Sequence, residues 1–171
     1  VVTKLDSSFF HTSKLKRPWW IVSHADGSIE NTMGGELKSD DLVFIEHNSS
    51  CVSTHQGKHT MELANAHHDD GSTEVLISGG MPAFASSLAI RIEPDLKYRC
   101  DIAATYPAST TPLRWKILKK ELRLKSKDLT PGSRLFAWVS VTFEEKEFPN
   151  GKPKTYTIEG YIKPIIQHKP E

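Results

Sequence analysis

Residues 135–166 read LFAWVSVTFEEKEFPNGKPKTYTIEGYIKPII, and the alternation in this stretch decides the fold. Two runs, 135–145 and 155–166, flank Pro149-Asn150-Gly151-Lys152. Asn-Gly favours a hairpin tip, because both residues tolerate the positive φ that a type I′ turn requires. A tip at Asn150-Gly151 sets Phe143 opposite Ile158, Val141 opposite Gly160, Val139 opposite Ile162, Ala137 opposite Pro164 and Leu135 opposite Ile166. Side chains alternate along a strand, so all of these share one face. The other face carries Thr142 with Glu159, Ser140 with Tyr161, Trp138 with Lys163 and Phe136 with Ile165. One face is apolar throughout and the other is mixed, so the ribbon is expected to line a core.

A second ribbon has the same character. Residues 84–92 place Phe84, Ser86, Leu88, Ile90 and Ile92 on one face, and residues 96–104 do so with Leu96, Tyr98, Cys100, Ile102 and Ala104. A loop of Glu93-Pro94-Asp95 sets Ile92 opposite Leu96 and Ile90 opposite Tyr98. Arg91, Lys97, Arg99 and Asp101 then face water. Two ribbons with one apolar wall each bury those walls by packing face to face.

Outward from these ribbons, further strands are expected at Trp19-Trp20-Ile21-Val22, at Leu42-Val43-Phe44-Ile45, at Cys51-Val52-Ser53-Thr54 and at Glu74-Val75-Leu76-Ile77-Ser78. Residues 60–66 suit two helical turns or a short strand. Residues 113–129 are read as a strand with a bulge near Leu118, although Trp115, Leu118 and Leu122 also fall at helical spacing. Residues 1–17 read as an arm or edge element, and 167–171 as a frayed tail. Residues 1–171 thus form one all-β domain. The expected architecture is an antiparallel β-sandwich or jelly-roll-like barrel of roughly eight strands with at most one short helix.

The 171 residues suffice for a real core, and a formal charge of +1 gives no global bias toward nucleic acid. No apolar run approaches the ~20 residues of a membrane helix. The chain begins Val1-Val2-Thr3-Lys4, without a signal-peptide core and without Met, which points to a processed or trimmed start. Cys51 and Cys100 are read as buried reduced thiols, which favours a cytoplasmic setting over a secreted one. A secreted chain would instead pair them across a loop worth roughly 2–4 kcal/mol. Asn48-Ser49-Ser50 is a formal glycosylation triplet.

Three groups of residues carry candidate chemistry. Arg114, Lys116, Lys119, Lys120, Arg123, Lys125 and Lys127 share one segment in which Glu121 is the sole acid. Clustered cations suit phosphates, because each neutralised phosphate releases a counterion. They suit an anionic membrane for a related reason, and Trp115 beside them is a stacking platform. Phe136, Trp138 and Tyr161 gather on the mixed face of the first ribbon. Uncovered, that face is an association surface. His55, His59 and His67, near His47, Cys51 and Asp69-Asp70, are weak metal-ligand candidates, without a His-Glu-x-x-His or Cys-x-x-Cys spacing. The bland alternative is a polar loop with solvated histidines. Glu144, Glu145 and Glu147, beside a turn, are read as exposed. No Gly-x-Ser-x-Gly elbow or phosphate loop occurs.

These features point to a non-catalytic binding or assembly protein that needs no cofactor. By fold-level analogy it is a viral structural protein, coat-like or matrix-like. It is expected to form homo-oligomers through the aromatic face and to contact nucleic acid or an anionic membrane through the basic segment. The alternatives are a carbohydrate-binding sandwich that uses its tryptophans and a metal-dependent enzyme, such as a hydrolase, built on the histidine-rich loop.

Overall fold

The alternating runs become the central strands of two stacked sheets. The computed structural model describes residues 3–5, 21–26, 28–35, 37, 47–55, 57–79, 86–104, 113–147 and 149–169. The expectations for Trp19, Trp20, residues 6–17, residues 42–45 and Phe84 lie outside them. In chain order the strands are β1 (Lys4–Leu5), β2 (Ile21–Ser23), β3 (Ile29–Asn31), β4 (Cys51–Ser53), β5 (His59–Met61), β6 (Leu63–Asp69), β7 (Ser72–Ser78), β8 (Ser86–Ile92), β9 (Tyr98–Ala104), β10 (Leu113–Leu124), β11 (Ala137–Glu147), β12 (Lys154–Ile162) and β13 (Ile166–His168). No helix occurs among the described residues. One sheet has the order β1-β10-β11-β12-β4-β5 and the other β13-β6-β7-β8-β9, with β2-β3 as a separate pair. The fold is an all-β sandwich, with more strands than the roughly eight expected. The excess lies in pieces of two or three residues, too short to show a period.

Both ribbons form, and in both the register slips by two residues. Val141 lies opposite Ile158, Val139 opposite Gly160 and Phe143 opposite Tyr156. The first turn is wider than a two-residue Asn-Gly tip: the Gly151 N–H donates to the Glu147 carbonyl at 2.9 Å. A Cβ on Gly151 would sit 2.5 Å from Glu147 Cβ, so this turn needs its glycine for close approach. In the second ribbon Ile90 opposes Cys100 and Ile92 opposes Tyr98. Its loop is Pro94-Asp95-Leu96, closed by Glu93 N–H to Lys97 O at 2.8 Å. Leu96 takes the left-handed position (φ 61), and its carbonyl accepts from both the N–H and the hydroxyl of Thr3. A slip of two keeps Val139, Val141, Phe143, Ile158, Leu88 and Ile90 on the inner face expected of them.

The inner walls meet in one hydrophobic cluster. Val139, Val141, Phe143, Ile158, Leu122 and Leu124 come from the six-stranded sheet, and Val75, Ile77, Leu88, Ile90 and Ile166 from the five-stranded one. Each such side chain contributes about 1.5–3 kcal/mol. β10 serves both ends of its wall because the register shifts between Ile117 and Lys119. The extra residue, Leu118, stays 47% exposed. The bulge restores apolar phase: Trp115 and Ile117 face inward before it, Leu122 and Leu124 after it. Ile166, expected to end the strand that stops at Ile162, instead opens β13, and Gln167 and His168, expected as the start of a frayed tail, follow it in parallel pairing with β6.

Asn48 is buried, and its side chain replaces a missing strand residue. Nδ2 donates to Ala64 O at 2.8 Å and Oδ1 accepts from Ala64 N–H at 2.6 Å. The glycosylation triplet is therefore committed to the fold. Asn48→Ala is expected to cost about 2 kcal/mol in urea denaturation, since it strands a buried backbone donor and acceptor.

Cys51 and Cys100 are free and buried. Burial pushes both thiols up to about 11. In the unfolded chain they ionise near the model-peptide value, so their neutral folded forms stabilise fully only below it. Stability is expected to fall as pH rises from about 9 toward 11. Replacing both cysteines by alanine should flatten that part of a pH–urea profile.

Candidate functional site

The outer face of β10-β11-β12 brings the basic and aromatic candidates together. Register places Lys4, Arg123, Trp138 and Tyr161 in one cross-strand row. Arg123 stacks on the Trp138 ring with Cζ 4.8 Å from its centroid, and Lys125 lies over Phe136 with Nζ 5.0 Å away. Such cation–π contacts contribute about 0.5–1 kcal/mol each at exposed sites. Glu121 accepts from Lys4 Nζ at 2.8 Å and from Arg123 Nε at 3.0 Å. Those hydrogen bonds, Lys4 first, hold its carboxyl below the usual range. Arg123 is thereby held over the indole, with its side chain still 42% exposed.

Arg114, Lys116 and Lys119 project from the same face and are exposed. Lys146 opposes Arg114 and Glu144 opposes Lys116 across the ladder. Cations outnumber the carboxylates Glu121, Glu144 and Glu159 here, although the whole chain is nearly neutral. Lys120 leaves this group. The bulge turns it inward, where Nζ donates to Tyr98 O at 3.2 Å and sits 5.1 Å from the Tyr98 ring. It ties the β10 edge to β9. Trp115 also faces inward, so it is no partner to the lysines in stacking on a ligand.

The histidine candidates are not brought together. His59 donates from Nδ1 to Gly57 O at 3.1 Å, and His67 lies on the outer face of the other sheet, beside Glu74. His55 is fully buried, which corrects the reading of it as a solvated loop residue. Among the described residues no group of three or more potential ligands is placed to hold a metal ion.

Sequence reasoning missed the setting of His55. Its Nε2 donates to Glu145 Oε2 at 2.7 Å, and Trp115 Nε1 donates to the same oxygen at 3.1 Å. Phe143 and Tyr156 pack on the imidazole, with centroids 5.8 and 4.8 Å away. Glu145, read as exposed, is only 9% exposed. The signal was present: Val139, Val141, Phe143 and Glu145 continue one alternation.

Compared with known protein families, curated proteins and solved structures, the chain finds no match. No helix among the described residues is long and apolar enough to cross a membrane.

Proposed function

We propose that this is a non-catalytic binding protein whose outer six-stranded face grips a single-stranded nucleic acid. The observation that carries the reading is the row of cations laid over aromatic rings: Arg123 on Trp138 and Lys125 on Phe136. Phosphates meet Arg114, Lys116 and Lys119, while bases stack on the guanidinium–indole layer, a sequence-tolerant mode of contact. Copies aligned along one polymer make a coat-like or matrix-like structural protein, viral by fold-level analogy.

Fluorescence anisotropy with a labelled single-stranded oligonucleotide tests this. Affinity should fall with salt at a log–log slope of about −0.7 per phosphate contacted. Lys116→Glu with Lys119→Glu, both exposed, should weaken binding at least about tenfold at low salt. Absence of binding in low salt, or a double variant that binds like the parent, rejects the reading. Sedimentation with and without the oligonucleotide tests assembly, and a strict monomer in both removes that part.

A further inference from the structure

The five-stranded sheet carries a second feature on its own outer face, away from the basic surface. A depression of about 290 Å³ is lined by His67, Glu74, Leu76, Ala89, Arg91, Arg99 and Asp101 among its walls and floor. Register explains its shape. One row across the strands runs His67, Glu74, Arg91, Arg99, and the next runs Asn65, Leu76, Ala89, Asp101. Ala89 is the small residue at the centre of the second row. Leu76, 43% exposed, gives the floor an apolar patch.

The charges are unevenly matched. Arg91 and Arg99 lie directly opposite each other, an arrangement of like charges that is unfavourable in a sheet. Arg91 is held by Glu74 at 3.2 Å and Glu93 at 3.3 Å. Arg99 is exposed, and no described carboxylate lies within ion-pair distance of it. Asp101 is likewise exposed and without a described cation. The two share one face of β9 two residues apart, so their Cα atoms are about 6.5–7 Å apart. One unmatched positive and one unmatched negative group thus flank an apolar floor.

We propose that this depression binds a small zwitterion with an apolar body, of the apolar α-amino acid class. The carboxylate meets Arg99, with Arg91 behind it. The ammonium meets Asp101, and the side chain covers Leu76 and Ala89. A dianion such as phosphate is disfavoured, because Glu74 and Asp101 line the same site.

Titration of the isotope-labelled full chain with L-leucine, followed by amide NMR shifts, tests the proposal. Saturable shifts are expected at Leu76, Ala89, Arg99 and Asp101. 4-Methylpentanoate, lacking the ammonium, and 3-methylbutylamine, lacking the carboxylate, should each bind about tenfold more weakly or worse. Arg99→Ala should weaken leucine by a similar factor, and Ala89→Leu, which fills the depression from an exposed position, should abolish binding. Both variants should keep the parent's spectrum elsewhere and its oligonucleotide affinity. Absence of a saturable shift, equal binding of the carboxylate analogue, or an Arg99→Ala variant that binds leucine normally overturns the proposal.

Discussion

Gly160→Ala is expected to destabilise the protein by about 3 kcal/mol or more. A Cβ at this position would lie 2.5 Å from Cys51 Cα, 2.6 Å from Ser50 O and 2.7 Å from Cys51 N. All three atoms are backbone, so no side chain can swing aside. β12 and the segment entering β4 must part, which weakens the bond from Ser50 N–H to Tyr161 O, now 2.8 Å. For a chain of this length the melting temperature should drop by roughly 6–12 °C. Gly34→Ala is the control: its φ is +87 and nothing lies within 4 Å, so only backbone strain of about 1–2 kcal/mol is expected there. Equal losses at the two sites would refute close strand approach as the reason for Gly160.

The second large effect is expected at Glu145. Alanine there removes the oxygen that accepts from both His55 and Trp115. His55 is fully buried. Removing the acceptor of a fully buried donor and of a half-buried one costs about 3 kcal/mol. Glu145→Gln keeps one oxygen acceptor in the same place and should lose clearly less. Urea denaturation of the two variants separates the cases. A Glu145→Ala protein within about 0.5 kcal/mol of the parent would show that this cluster does not hold the end of the sandwich.

Side-chain faces were legible in the sequence, whereas strand registers were not. Val139, Val141 and Phe143 declared their face by alternation, and so did Leu88 and Ile90. Turn chemistry was asked to supply the register and misled both times. Asn150-Gly151 suits a tight turn, but the chain closes between Glu147 and Gly151. Leu96 has no glycine-like signature, yet it adopts the left-handed position. Apolar pattern could not correct either slip, because a displacement of two conserves it.

The candidate surface was legible as parts only. The cations and the rings were each found in the sequence. That Arg123 lies on Trp138 depends on the pairing of β10 with β11, which joins segments across the connection 125–136 and follows the bulge within β10. The bulge also reversed Lys120, which composition alone had grouped with its neighbours. His55 was misplaced because its partner Glu145 is ninety residues away. No local pattern around His55 signals that contact.

The added residue in β10 separates two kinds of change that genetics usually lumps together. At Leu118 chemical identity matters little, since the side chain stands half in water, and the pairing around it decides what an omission does. Loss of its codon would join Ile117 directly to Lys119, whose partners Phe143 and Thr142 are already neighbours, so the ladder would run on with Trp115, Ile117, Leu122 and Leu124 still inward and Lys119, Glu121 and Arg123 still outward. The same omission at Ser140, inside the regular ladder of the next strand, would reverse every side chain on one side of it, so the bulge tolerates what its neighbour cannot.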